Sequence, residues 1–193
     1  HLLRTHGLRV GMTNTDGVYV QSRQIDSGDC SGPRSARNVL MHPHVDAAVL
    51  ETARGGMLRE GLAFDRCSVA VVTNIEADHL ENYGGDFNRV KQAFSEFLHR
   101  LPFYGLAVLC IEDDEVRALA DEMPRHCLTY GFREAAEVRA TEVRQIGGQM
   151  HFNLHLPDGV NQAVALNMPG KHNVLNALAA AAIAWQLGVA PES

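Results

Sequence analysis

The sequence predicts an α/β fold: an open, mostly parallel sheet flanked by helices and carrying a small antiparallel β meander. Three observations point to it. Short β-branched runs alternate with helical periodicity up to about residue 130, the rhythm of strand–helix–strand crossovers. Residues 69–73 (V-A-V-V-T) form the kind of run that is buried on both faces of a parallel sheet. From Ala136 onward, three further runs are separated by Gly147-Gly148 and Asp158-Gly159, both favoured hairpin turns.

Taken in order, residues 1–7 read as the last turns of a helix closed by Gly7, with the element that feeds it expected upstream. Residues 8–12 predict a strand and residues 17–25 a hairpin, after which Ser31-Gly32-Pro33 opens a helix to about Met41. Residues 45–51 and 69–73 are expected as central strands. Asp86 is placed to cap a helix that carries Phe87, Val90, Phe94, Phe97 and Leu98 near helical spacing. Residues 106–111 and 127–130 predict strands on either side of a short helix at 115–122. The meander takes residues 138–146, 150–156 and 162–166, and is too short to bury a core of its own. A long Ala-rich helix over 173–187 then has small residues suited to close packing on a sheet. Leu187-Gly188-Val189-Ala190-Pro191 reads as a helix stop, so one domain is expected over residues 1–190, with 191–193 starting a linker.

Composition excludes several functions. With 46% hydrophobic, 21% charged and 6% aromatic residues in 193, the chain is that of a globular protein. No run approaches the roughly 18 apolar residues of a membrane span, so no membrane partner is expected. The formal charge of -6 offers no basic surface for nucleic acid. The four cysteines form no C-x-x-C pair and read as a reduced, cytoplasmic thiol set.

Ligands of open α/β sheets bind outside the carboxyl ends of the strands, and two polar clusters fall there. In Glu51-Thr52-Ala53-Arg54-Gly55-Gly56, a carboxylate could hold Mg²⁺, Arg54 could meet an anion, and the glycines let backbone amides approach phosphate. An ordinary strand-to-helix turn explains that cluster equally well. Thr73-Asn74-Ile75-Glu76-Ala77-Asp78-His79 brings amide, carboxylate and imidazole groups into one loop, where a divalent cation or plain solvent could occupy them. A third cluster, Gly170-Lys171-His172-Asn173-Val174-Leu175-Asn176, opens a helix, where Asn173 and Asn176 could cap the helix or read a base edge; capping accounts for one asparagine and hardly for both. His42-Pro43-His44, the pair His151 and His155, and the run Glu112-Asp113-Asp114-Glu115 are expected in surface or packing roles, since none has a third ligand at suitable spacing. Neither a G-x-S-x-G elbow nor a G-x-G-x-x-G after the first strand is present, against a serine hydrolase or a dinucleotide oxidoreductase.

At these clusters the chain resembles a known family. Val71-Val72-Thr73-Asn74-Ile75-Glu76-Ala77-Asp78-His79-Leu80 and Pro169-Gly170-Lys171-His172-Asn173-Val174-Leu175-Asn176-Ala177, in that order, look like the paired signatures of the central, ATP-binding domain of the Mur ligase superfamily of ADP-forming carboxylate–amine ligases. From about Thr73 on, including Phe97-Leu98-His99-Arg100-Leu101-Pro102-Phe103-Tyr104-Gly105 and Thr129-Tyr130-Gly131-Phe132, the likeness is to the branch that adds alanine to UDP-N-acetylmuramate in peptidoglycan synthesis. Thr15-Asp16-Gly17-Val18-Tyr19, Gly28-Asp29-Cys30-Ser31-Gly32-Pro33 and the stretch from Glu51 to Gly61 look instead like the ligase half of cyanophycin synthetase, which extends a cyanophycin chain.

The resemblance implies ATP and Mg²⁺ as cofactors, a carboxylate substrate and an amino acid as partners, and an acyl phosphate intermediate. It implies Glu51 and His79 at the metal and in catalysis, with Arg54 orienting a carboxylate or stabilising developing negative charge. It implies Asn173 and Asn176 by the adenine, His172 nearby, and Thr73 and Asn74 in the nucleotide site. Two departures stand out. The superfamily's G-x-x-G-K-[ST] phosphate loop does not occur in these 193 residues, and Phe94 stands about where many members carry a carbamylated lysine; the family pattern has alanine-adding members without it, so Lys91 is not a candidate for that role. A non-catalytic nucleotide-binding module therefore remains the competing expectation.

Overall fold

The computed structural model describes residues 1–52, 62–77 and 80–189, so the expected linker at 191–193 lies outside the described residues. Internal contacts divide the described chain into two units, one of His1–Arg66 and Ala77–Glu96, the other of Cys67–Glu76 and Phe97 onward.

The first unit opens with a single helical turn, α1 (Leu2–Thr5), and a four-stranded sheet made of β1 (Val10–Asn14), β2 (Gly17–Val20), β3 (Arg23–Ser27) and β4 (Ala47–Leu50) in the order β3-β2-β1-β4. Asn14 makes the first hairpin: its Oδ1 accepts the backbone N–H groups of Asp16 and Gly17, each at 3.0 Å, so the side chain replaces a turn carbonyl. Helix α2 (Pro33–Leu40) has Gly32 as N-cap and Pro33 in its first turn, where a missing N–H costs nothing. It buries Val39 against Val18 and Cys30, with Val45 and Leu50 packed around them. After a 3₁₀ turn at Leu80–Tyr83 comes α3 (Phe87–His99), of which the residues up to Glu96 belong to this unit; Asp86 caps it through its Oδ1 and the Asn88 N–H at 2.9 Å. Val90, Ala93 and Leu98 are its buried positions, and Phe94 and Phe97 are half-buried.

The second unit holds β5 (Val69–Val72), β6 (Leu106–Cys110), α4 (Asp114–Glu122), β7 (Leu128–Gly131), β8 (Val138–Ile146), β9 (Gln149–His155), β10 (Asn161–Leu166) and α5 (Lys171–Gln186). Its sheet runs β10-β9-β8-β7-β6-β5, parallel from β5 to β8 and antiparallel from β8 to β10. The expected meander is thus an extension of the parallel sheet. Met150 and Phe152 of β9 share one core with Val108, Cys110, Leu128, Tyr130 and Val138, under Val174, Leu178, Ala179 and Ala182 of α5. The small residues let α5 lie close to strands β6 to β9, as the sequence predicts. No helix among the described residues is long and apolar enough to cross a membrane.

The two runs expected as central strands are corrected. Each ends its sheet among the described residues: β4 pairs with β1 alone and β5 with β6 alone. Ala48 and Val49 of β4 are exposed. In β5, Ala70 and Val72 are buried while Val69 and Val71 pack against the core beneath α5. A β-branched run reports cover on its faces, which layers above and below supply to an edge strand as readily as to a central one.

Candidate functional site

The loop after β5 is built on Ile75, which is buried and donates its N–H to Asp113 Oδ2 at 3.3 Å. The other Asp113 oxygen caps α4 by accepting the Val116 N–H at 2.9 Å. One carboxylate therefore fixes both the loop after β5 and the start of the next helix. Around Ile75 the polar groups face outward and bond in sequence: Thr73 Oγ1 donates to Asn74 Oδ1 at 3.1 Å, and Asn74 Nδ2 donates to Glu76 Oε1 at 2.8 Å.

At the other segment, Gly170 is the N-cap of α5 at φ +95°, a left-handed conformation open to glycine. The His172 ring folds back over it so closely that a Cβ on Gly170 would lie 2.7 Å from His172 Cε1. Asn173 Nδ2 donates to the Pro169 carbonyl at 2.7 Å, while Asn176 is exposed and its side chain makes no hydrogen bond. Neither asparagine caps an N–H, which removes the capping alternative: the helix begins at Lys171, so both stand inside it rather than at its cap position.

Glu51 belongs to the first unit, whereas Thr73, Asn74, His172, Asn173 and Asn176 belong to the second. Its N–H donates to the Thr13 carbonyl at 3.1 Å, carrying the parallel β1–β4 ladder one residue past β4, and its side chain is exposed. Arg54 and His79 lie outside the described residues. Among the described residues no group of three or more His, Cys, Asp or Glu could hold a metal ion. A single carboxylate on a fixed strand end still suits Mg²⁺, which keeps waters and phosphate oxygens and takes one or two carboxylates from protein.

The residues read as packing or surface groups behave as such. His42 and His44 stand with ring centroids 5.7 Å apart, and His155 Nε2 bonds Thr141 Oγ1 at 2.7 Å. Glu112 is more specific than a solvated charge, since its Oε1 accepts the N–H groups of Phe132 and Arg133 at 2.8 and 2.9 Å beside Gly131. Tyr130 is fully buried, and burial first, then its neighbour Cys110, raises the pKa of its phenol.

A groove of about 320 Å³ was not foreseen. Phe132, Ala140, Thr141, Glu142, Val143 and Lys171 line it. The signal lay in β8, where the inward-facing apolar residues step from Val138 to Ala140 and then to Val143: a gap of three in a period of two marks a bulge.

A family model, Mur ligase middle domain, matches residues 1–184. The chain belongs to this family. Its middle domain is 65% identical over 125 residues to UDP-N-acetylmuramate–L-alanine ligase of Xanthomonas campestris pv. campestris (strain B100), an alignment that covers 65% of this chain and 26% of the relative. The matched part thus spans about a quarter of the curated relative's length. Among solved structures, this Mur ligase domain is similar to a UDP-N-acetylmuramoyl-L-alanyl-D-glutamate–2,6-diaminopimelate ligase, with a TM-score of 0.79 at 23% identity over 97% of this chain and 39% of that one. It is also similar to the MurF ligase of Thermotoga maritima in complex with ADP, with a TM-score of 0.72 at 19% identity over 98% of this chain and 42% of that one. At these identities the likeness is one of fold.

Proposed function

We propose that residues 1–190 are the central ATP-binding domain of a cytoplasmic UDP-N-acetylmuramate–L-alanine ligase, an ADP-forming enzyme of peptidoglycan synthesis. The observation that carries this is the 65% identity over 125 residues to a ligase of that name. In the reaction, a carboxylate oxygen of UDP-N-acetylmuramate attacks the γ-phosphorus of ATP and ADP leaves. The amine of alanine then adds to the acyl phosphate carbon, phosphate departs, and the amine loses a proton as the amide forms.

Such a reaction asks for positioning and charge neutralisation more than for covalent chemistry. Glu51 and His79 would hold Mg²⁺, which when bound neutralises charge on phosphate oxygens. Glu51 is suited by its strand, since the β1–β4 ladder fixes its backbone and leaves the carboxylate in solvent. Asn176, with a free amide, and Asn173, tied to Pro169, would hold the adenine beside His172. Thr73 and Asn74 would donate toward phosphate from a loop fixed by Asp113. Arg54 would orient the substrate carboxylate.

The test is ADP release by the full-length protein with ATP, Mg²⁺, UDP-N-acetylmuramate and L-alanine, omitting each in turn. Release that needs all four is expected. Release with a cyanophycin chain and an amino acid in place of the muramate and alanine, or none under any combination, would overturn the assignment.

A further inference from the structure

Strand β8 outruns its neighbour. It pairs with β7 only at Tyr130↔Val138 and Gly131↔Arg139, so from Ala140 onward that edge has no strand beside it and no other backbone hydrogen bond among the described residues. On its other edge, the pairs Thr141↔Asn153 and Arg144↔His151 frame a bulge in which Glu142 and Val143 stand against Phe152 alone. Glu142 takes φ +53°, a left-handed conformation uncommon in a residue other than glycine. A side-chain bond ties the bulged residue to the facing strand: Asn153 Nδ2 donates to Glu142 Oε2 at 3.1 Å.

The bulge lines the groove of about 320 Å³ together with Phe132 and Lys171. That volume lies at the low end of small-molecule sites, which start at ~300 Å³. Phe132 is half-buried and offers an aromatic wall, while Lys171 precedes His172 and Asn173 in the first turn of α5. An open strand edge presents alternating N–H and C=O groups, which match the adjacent donor and acceptor on the edge of a purine. The left-handed residue interrupts the regular edge, and this disfavours addition of another polypeptide strand.

We propose that the open edge of β8 at its Thr141–Arg144 bulge reads the base of the bound nucleotide, and that Glu142 is its positioning residue, holding the bulge through Asn153. This rests on the nucleotide-binding assignment above. The backbone groups of Glu142 and Val143 contact the base edge, Phe132 covers its face, and the Glu142 carboxylate acts on them only by keeping the bulge in shape.

Hydrogen exchange on the full-length protein tests the contact directly. ATP is expected to slow exchange of the amides in residues 140–144, and inorganic tripolyphosphate, which lacks a base, is expected to leave them unchanged. Binding of ATP and of inosine triphosphate, which lacks the exocyclic amine, tests the positioning role. Wild type should prefer ATP by about tenfold, the discrimination an unpaired buried polar group produces. Glu142→Val, whose branched side chain resists positive φ and cannot accept from Asn153, should bring that ratio near one, whereas Glu142→Gln, whose Oε1 can still accept the Asn153 amide, should keep most of the preference. Failure of wild type to bind ATP would overturn the nucleotide assignment and this inference together. ATP binding without protection of 140–144, or an unchanged ratio in Glu142→Val, would overturn the base-reading role alone. Should Glu142→Val not fold, the exchange experiment on wild type decides.

Discussion

Gly131 and the Glu112 carboxylate share one space: a Cβ at residue 131 would lie 2.6 Å from Glu112 Oε1. The absence of that carbon lets the carboxylate, with its side chain 25% exposed, reach past the end of β7 to the N–H groups of Phe132 and Arg133. Gly131→Ala should therefore push the carboxylate off both amides and destabilise the protein by about 1–3 kcal/mol, and Glu112→Ala should cost a similar amount. Because both act through one contact, the double variant should cost less than the sum. Denaturant unfolding of the four proteins checks this through their double-mutant cycle.

Asp46 and Arg9 give a pH-dependent pair. Asp46 accepts from the Arg9 side chain at 2.6 and 2.8 Å and from its backbone N–H at 3.0 Å, and these hydrogen bonds, the side-chain ones foremost, lower its pKa to about 2. The folded pKa lies below the unfolded value of about 3.9, so the stabilisation is whole above that pH and is lost as pH falls toward 2. Carbon-detected titration of the Asp46 carboxyl should show a midpoint near 2 in wild type. Arg9→Gln should move that midpoint up toward the ordinary carboxylate value.

The two asparagines of α5 should separate folding from binding. Asn173→Ala loses the bond to the Pro169 carbonyl and should lower stability by about 0.5–1.5 kcal/mol. Asn176 is exposed and unbonded, and alanine is the better helix former, so Asn176→Ala should leave stability unchanged or slightly higher. If both amides hold adenine, both variants weaken ATP binding by the full-length protein. Thermal unfolding and calorimetric ATP titration, measured side by side, distinguish the two effects.

Glu51→Gln keeps the side chain's shape and removes its charge. In the full-length enzyme it should lower turnover by at least about a hundredfold, roughly 2.7 kcal/mol of transition-state stabilisation. Glu76→Gln should cost far less, since Glu76 Oε1 accepts from Asn74 within its own loop and a glutamine oxygen can do the same. Magnesium titrations of both variants decide it; equal losses, or a larger loss for Glu76→Gln, would move the metal-binding role to the loop after β5.

Sequence by itself determined the strands and helices, the two hairpin turns of the meander and the dense packing of the Ala-rich helix. Each follows from local preference: Gly147-Gly148 and Asp158-Gly159 can take hairpin turn conformations wherever they stand, and Asp86 caps the residues beside it. Sequence also brought Glu51, Thr73, Asn74, Asn173 and Asn176 forward, because strand ends and helix starts are where open α/β sheets bind ligands. Tertiary structure decided the rest. Only the pairing made β4 and β5 the last strands of their sheets among the described residues, because an apolar run records that its faces are covered and says nothing of which strand lies beside it. Only the approach of β6 to β7 turned Glu112 from a surface charge into an acceptor of two amides some twenty residues away. The groove at β8 depends on both kinds of information. Its bulge is written in the spacing of Val138, Ala140 and Val143, but β8 has an open edge there because β7 stops at Gly131, and only the folded sheet sets where one strand ends against another.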